Sequence, residues 1–470
     1  VIKRTLKEMA AMSGGEAVSL AGEDLPVQGV ITDSRKLTEG CLFVPLAGEK
    51  FDGHDFAAEA LRRGAAAVMW QKDHGVPPAE GPVILVDDTL AALQRLSSAY
   101  LQASRARVIG ITGSNGKTTT KDIVTSLLST AYKVHKTQGN FNNHIGLPLT
   151  ILSMPEDREF AVLEMGMSAR GEIALLSGLA QPETAIITNI GESHLEYLGS
   201  RQEIARAKLE IVSGMKPGGL LVYNGDEPLI PEALREGRTV KPQQLNTFTF
   251  GLQPDNDDYP TGIMFQSGGT VFTSHRFGPD IVFSLPLLGR HNVANALGAM
   301  AVAFHYGVSG EQIRKGLEDL LLTGMRIEVM KGVSGLTILN DAYNASPTSM
   351  RAAIEVLQSM KGFRRKIAVL GDMLELGEGA EQFHREVGQY LTPEKADFLF
   401  AYGALGTYIA EGAAERLPAS AVHAYTDKSK LIQELEQFLQ PGDIVLVKAS
   451  RGNRLEEVAL HLKNSPLNQS

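Results

Sequence analysis

The sequence predicts an α/β protein built in three parts. Continuous apolar runs that read as strands are each followed by a helical pattern, the mark of parallel sheets buried on both faces. The texture changes twice along the chain, near residues 105 and 323. Between the two changes a glycine-rich turn, "GITGSNGKTTTKDIV" at residues 110–124, joins a strand to a helix. A chain of 470 residues is also too long for one ordinary core. We therefore read domains at 1–105, 106–322 and 323–470.

The first domain holds short strand-like runs ("VQGVIT", "CLFVPL", "AAAVMW", "VILVDD") between glycine-rich turns, closed by a helix from Leu90 to Ser104. From Arg107 the pattern becomes strand then helix: "RVIGIT", "GKTTTKDIVTSLLSTA", "KVHKT", and later "FAVLEMG", "TAIITNI" and "GLLVYNGD". Residues 254–288 read as an antiparallel excursion, and a helix from His291 to Tyr306 follows. The third domain opens after "LLLTGMRIEV" and alternates again through "LTILND", "KIAVLGD", "DFLFAYG" and "DIVLVKAS". Ser346 is a good N-cap and Pro347 suits a first helical turn. Met350, Ile354 and Leu357 then recur at the spacing of a buried stripe. This unit reads as an open doubly wound sheet, with ligands beyond the carboxyl ends of its strands.

Composition narrows the class. Hydrophobic content of 43% and charged content of 21% are those of a soluble globular protein. The one cysteine, Cys41, excludes an internal disulfide framework and fits a reducing compartment. The opening "VIKRTLKEMAAMSGG" carries no apolar signal core, and no apolar run approaches the roughly 20 residues of a membrane helix. No membrane insertion and a cytoplasmic location are expected. A net charge of −9 argues against nucleic acid as the main partner, while leaving room for a small anion in a local basic pocket.

The glycine-rich turn is almost a phosphate-binding loop. The strict pattern G-x-x-x-x-G-K-[ST] needs a glycine where Ile111 stands; Gly110 and Gly113 flank that place. The context is nevertheless right: backbone N–H groups and a helix N-terminus are poised to face an anion. Lys117 is placed to reach the β/γ-phosphates and Thr118 to offer a hydroxyl to Mg²⁺. Glu164 ends the strand "FAVLEMG", and His194 follows the strand "AIITNI". A carboxylate and an imidazole at one sheet edge suit a divalent cation bridging phosphate and substrate. Each also has a plain structural reading, Glu164 as a helix cap and His194 as a solvated loop residue. Lys208 shares a helical face with Ile204, Ala207 and Ile211. Either its stem snorkels to water or its ammonium points inward at the nucleotide site; spacing allows both.

Together these residues resemble the Mur ligases, the ATP-dependent amino-acid and peptide ligases of peptidoglycan synthesis. The off-register loop is part of the likeness, since that family carries T-G-x-x-G-K-[ST], here Thr112 to Thr118. The resemblance covers the whole chain. It implies a small α/β uridine-nucleotide domain, a central P-loop parallel-sheet ATPase domain and a C-terminal doubly wound (Rossmann-like) domain. Carried over by residue, Gly113, Ser114, Asn115, Gly116, Lys117, Thr118 and Thr119 form the ATP loop. Thr118, Glu164 and His194 hold Mg²⁺, and Lys208 matches the lysine the family carries as a carbamate. His291, Asn292 and Asn295 in "GRHNVANALGA" match the adenine-side helix, for which helix capping is the alternative. Arg326 matches an arginine that reaches the γ-phosphate on closure of the last domain, and Asp341 a nucleotide contact.

Substrate residues follow by the same likeness. Ser34 and Arg35 lie in "TDSRKLTEGCLFVPLAGEKFDGHDF", which resembles the uridine-nucleotide domain of members adding the third residue or the final dipeptide. Asn140 in "HKTQGNFNNHIGLP" matches a contact beside the γ-phosphate and the substrate carboxylate. "NDAYNASPTSM", with Asn344, and "VLGDMLELGE" are similar to the dipeptide-adding branch, and the Asp-Asn-Pro-Arg motif of the diaminopimelate-adding branch is not found. Lys448, Ser450 and Arg451 in "LVKASRGNRLEEV" are the candidates for the incoming dipeptide, although Ala449 stands where glycine is expected. The implied partners are UDP-N-acetylmuramoyl-tripeptide and D-alanyl-D-alanine, and a monomer is expected. The alternatives are another branch of the family, a folylpolyglutamate synthase-like ligase, or a regulatory P-loop ATPase. The second starts close to its loop, whereas about 105 residues precede it here; the third leaves Lys208 and Arg326 without a purpose.

Overall fold

The computed structural model describes residues 1–20, 22–266, 268–323 and 327–466. Arg326 lies outside the described residues. The central sheet has six strands, all parallel, in the order Asn246–Phe250, Leu220–Asn224, Thr184–Ile187, Arg107–Thr112, Phe160–Glu164, Val134–Lys136. Its strands read as unbroken apolar runs because both faces are covered. In Phe160–Glu164, Phe160 and Val162 pack on the side of helices Lys117–Ser129 and Arg290–His305. Ala161 and Leu163 pack on the other, with Ile173, Leu176 and Ile204.

The strand order also places the site. Leaving Arg107–Thr112, the chain runs first to strands on one side and then to Thr184–Ile187 on the other. The crevice between Arg107–Thr112 and Thr184–Ile187 is thus the topological switch point, where a parallel sheet opens for ligand. Strands Pro260–Gln266, Gly269–Ser274 and Gly278–Leu285 form the expected antiparallel excursion.

The first part of the chain forms a five-stranded sheet in the order Glu16–Val18, Val83–Val86, Ala67–Gln71, Leu42–Phe43, Val30–Ile31. Helix Thr89–Ser104 closes it, capped by Asp88, whose carboxylate accepts the Ala91 N–H at 2.7 Å. The buried stripe Ala92, Leu93, Leu96 and Tyr100 shares one core with Leu147, Ile151 and Leu163 of the central sheet layer. The Tyr100 hydroxyl donates to the Met154 carbonyl at 2.6 Å across that seam.

The last sheet runs Glu328–Lys331, Thr337–Asp341, Ile444–Lys448, Lys366–Gly371, Phe398–Tyr402, Val422–Tyr425, parallel except for its first strand. Ser346 caps helix Pro347–Ser359 with Pro347 in the first turn. Met350, Ile354 and Leu357 are fully buried, as their spacing predicts. Among the described residues no helix is long and apolar enough to cross a membrane.

Candidate active site

The loop after Arg107–Thr112 is shaped by two glycines. Gly113 sits at φ 146°, and a Cβ there would fall 1.8 Å from Thr188 Oγ1. Gly116 sits at φ 81°, and a Cβ there would fall 2.8 Å from the Asn295 amide. Only glycine allows both close approaches. Helix Lys117–Ser129 then starts with no side-chain cap, and Gly116, Lys117 and Thr119 at its start line the cavity described below. The neighbouring strand end holds the loop in place. Asn115 N–H donates to Asn189 Oδ1 at 3.0 Å, Thr188 Oγ1 donates to the Asn115 carbonyl at 2.5 Å, and Gly191 N–H donates to Ser114 Oγ at 2.9 Å. Lys117 Nζ folds back on the Gly113 carbonyl at 2.9 Å.

Glu164 reaches this loop from the adjacent strand. It accepts from Thr118 Oγ1 at 2.8 Å and from Asn142 Nδ2 at 2.9 Å, so it serves side chains rather than capping a helix. A hydroxyl and a carboxylate that close are the hard oxygen donors a Mg²⁺ ion takes. Lys208 is 1% exposed, which rules out snorkelling. Burial, then the like charge of Lys117, pushes its ammonium well below the ordinary lysine range, against the opposing pull of Glu164 and Glu172. His194 is also pushed down, first by burial and then by the Lys208 charge, which favours the neutral imidazole a metal requires. Its Nδ1 stands 2.7 Å from Glu375 Oε2 of the last sheet's loops.

Beside the loop lies a cavity of about 790 Å³, walled by both the central and the last sheet units. Ser114, Asn115, Gly116, Lys117 and Thr119 line one side, with His291, Asn292 and Asn295 of the neighbouring helix. Asp341, Asn344 and Lys448 line the other, with Tyr343, Leu287, Leu288 and Ala353 supplying apolar wall. Asn292 donates back to the Leu288 carbonyl at 2.8 Å and accepts from Asn295 Nδ2 at 3.2 Å. Both residues line the cavity, and neither makes a side-chain cap to its helix. His291 is held low by burial. Lys448 Nζ bonds Asp341 Oδ2 at 2.6 Å and the Asn344 carbonyl at 2.8 Å. Polar groups from both walls thus face a recess with apolar stretches between them, the form of a site for a nucleotide-sized ligand.

The remaining candidates lie apart. Ser450 accepts the Leu374 N–H at 3.0 Å, and the Arg451 guanidinium sits over the Tyr343 ring at 5.3 Å; neither lines the cavity. Asn140 is exposed, its carbonyl accepting the Asn142 N–H at 2.8 Å. Arg35 makes a two-point pair with Asp33 at 2.9 Å for each bond, holding that carboxyl down at about 2, and Ser34 lends its carbonyl to Arg63 at 2.9 Å. Sequence reasoning missed Asn142 and Asn189. The asparagine-rich "NFNN" and the "TNIGES" strand end were signals for them, though neither says which residue reaches the loop.

Three family models match the chain: the Mur ligase family, catalytic domain, over residues 26–101, the Mur ligase middle domain over 111–303, and the Mur ligase, glutamate ligase domain, over 325–451. The UDP-N-acetylmuramoyl-tripeptide–D-alanyl-D-alanine ligase of Bacillus subtilis is 52% identical over 467 residues, covering 99% of this chain and 100% of that protein. The structure superposes on MurF from Acinetobacter baumannii with a TM-score of 0.88 at 30% identity, covering 98% of this chain and 99% of that one. It superposes on the MurF ligase from Thermotoga maritima in complex with ADP with a TM-score of 0.80 at 31% identity, covering 93% and 97%.

Proposed function

The chain belongs to the Mur ligase family, and from that premise we propose that it is the ATP-dependent, ADP-forming ligase that joins D-alanyl-D-alanine to UDP-N-acetylmuramoyl-tripeptide. The product is the UDP-MurNAc-pentapeptide of peptidoglycan synthesis. The observation that carries this reading is the cavity whose phosphate loop comes from one sheet and whose opposite wall comes from another.

The terminal carboxylate of the tripeptide attacks the γ-phosphate of ATP, giving an acyl phosphate and ADP. The free amine of the dipeptide then attacks the activated carbonyl and releases phosphate. Repulsion is the obstacle: two like charges ~4 Å apart cost about 1 kcal/mol in water and about 4 kcal/mol at an effective dielectric of ~20. Lys117 and the loop N–H groups offset it on the nucleotide, and Arg326 adds charge at the γ-phosphate. Thr118, Glu164 and His194 are the residues that would hold Mg²⁺, which supplies charge neutralisation on the phosphates when bound. Lys208, whose ammonium form burial disfavours, is suited to take up carbon dioxide as a carbamate and so to present oxygen donors to the site. His291, Asn292, Asn295 and Asp341 border the nucleotide. An acyl phosphate must be kept from water, which closure of the last domain over the cavity provides.

In this reading residues 1–105 bind the uridine nucleotide through Ser34 and Arg35, 106–322 bind ATP, and 323–470 complete the ATP site and admit the dipeptide. Asn140 sits toward the tripeptide carboxylate, and Asn344, Lys448, Ser450 and Arg451 toward the dipeptide side. The enzyme works as a cytoplasmic monomer. Phosphate release from ATP tests the function. Release should require both UDP-N-acetylmuramoyl-tripeptide and D-alanyl-D-alanine, with a product heavier by the dipeptide; release indifferent to the dipeptide would overturn the acceptor.

A further inference from the structure

The first turn of a helix leaves N–H groups without partners inside the helix. In Pro347–Ser359 nearly all of them are settled locally. Pro347 has no N–H, Ser349 N–H reaches Ser346 Oγ at 3.3 Å, and Met350 N–H reaches the Ser346 carbonyl at 2.8 Å. Thr348 N–H remains, and its acceptor comes from the central sheet unit: Glu192 Oε2 at 3.1 Å. The Thr348 hydroxyl donates to the same carboxylate, 2.8 Å from Oε2 and 3.0 Å from Oε1. Glu192 is only 9% exposed, and its charge lies at the positive end of the helix dipole.

The loop that carries Glu192 is also the one that holds the phosphate loop, through Thr188, Asn189 and Gly191. The helix it grips brings Thr348, Ser349, Ala352 and Ala353 to the cavity wall. One short segment thus holds the nucleotide loop on one side and the closing unit on the other. Just beyond it, His194 Nδ1 stands 2.7 Å from Glu375 Oε2 and the Glu196 N–H donates to the Glu375 carbonyl at 3.1 Å; the first uses a residue assigned to the metal and the second is backbone, open to any side chain. Glu192 has no such competing duty.

We infer that Glu192 is a positioning residue: it latches helix Pro347–Ser359 across the cleft and sets how far the last unit closes on the nucleotide. The inference rests on reading the cavity as the ATP site. Breaking the latch lowers the population of the closed form, so the apparent affinity for ATP falls by that fraction while the chemistry of the closed form is untouched.

The test compares the full-length protein with Glu192→Ala and Glu192→Gln. For Glu192→Ala the expected result is a KM for ATP raised about tenfold, with kcat within about twofold, and a larger radius of gyration by small-angle scattering without nucleotide. The melting temperature should stay within about 2 °C, because the bonds lost join two folded units and no core is opened. Glu192→Gln, whose amide oxygen still accepts from Thr348, should recover most of the KM and the compact scattering. An unchanged KM with unchanged scattering in Glu192→Ala would overturn the latch, and so would a KM rise that tracks a large fall in melting temperature. Scattering reads the latch without nucleotide, so a wild type that fails to use ATP removes the ligase reading while scattering still decides the latch.

Discussion

A buried lysine beside a second lysine costs a fold stability whether or not the site uses it. Lys208, at 1% exposure with Lys117 nearby, is such a residue. Lys208→Met, which keeps the length and removes the amine, should hold or raise the melting temperature while lowering turnover at least about 100-fold. Lys208→Ala should likewise lose turnover and regain part of it with short carboxylic acids; full activity in Lys208→Ala would remove the carbamate. Asp122 shows the opposite economy. It is 2% exposed and accepts from Lys136 Nζ at 2.8 Å, Thr323 N–H at 2.7 Å and Thr323 Oγ1 at 2.9 Å. Burial alone pushes its carboxyl up, but the Lys136 hydrogen bond and the Lys121 charge prevail and hold it below the usual range. Its stabilising contribution is therefore complete above the unfolded value of about 3.9 and fades as pH falls through the lower folded value. Asp122→Asn should cost about 3 kcal/mol in urea unfolding at neutral pH. The gap should narrow below about pH 4; a gap constant across that range would contradict the pairing. The position of Glu164 at a strand end and of Lys208 on an apolar helical face could be read from the sequence, because each depends only on local spacing. No such spacing marks Asn142, and only the folded loop separates it from Asn140.

The strands and helices were largely legible because each signal is local: apolar runs covered on both faces, a Ser-Pro helix start, a stripe at Met350, Ile354 and Leu357. What joins the elements was not. Glu192 and Thr348 are 156 residues apart, and no spacing rule links them. The glycine loop shows the same division. The pattern placed a phosphate loop there, but the fit of Gly116 against Asn295 comes from a helix far along the chain. Gly116→Ala adds a methyl group at φ 81° and 2.8 Å from the Asn295 amide. It should raise the KM for ATP more than about tenfold while costing roughly 1–2 kcal/mol of stability, because the strain falls on the loop and not on the core. A normal KM would mean that the loop can yield without moving the nucleotide.

For the molecule as a whole, the first and central units share a core through helix Thr89–Ser104, whereas the last unit meets the central one through Leu288, which packs into the last unit's core, and through the polar contacts of Glu192 and His194. A broad shared core resists relative motion more than one buried leucine and a few polar contacts do, so in this reading closure is assigned to the last unit. The central claim is that this closure brings a carboxylate against the γ-phosphate of ATP. The most direct measurement labels the terminal carboxylate of UDP-N-acetylmuramoyl-tripeptide with heavy oxygen and follows the label through one turnover with D-alanyl-D-alanine. Attack by that carboxylate on the γ-phosphate leaves one labelled oxygen in the released phosphate. Label found in AMP, or absent from the phosphate, would contradict it.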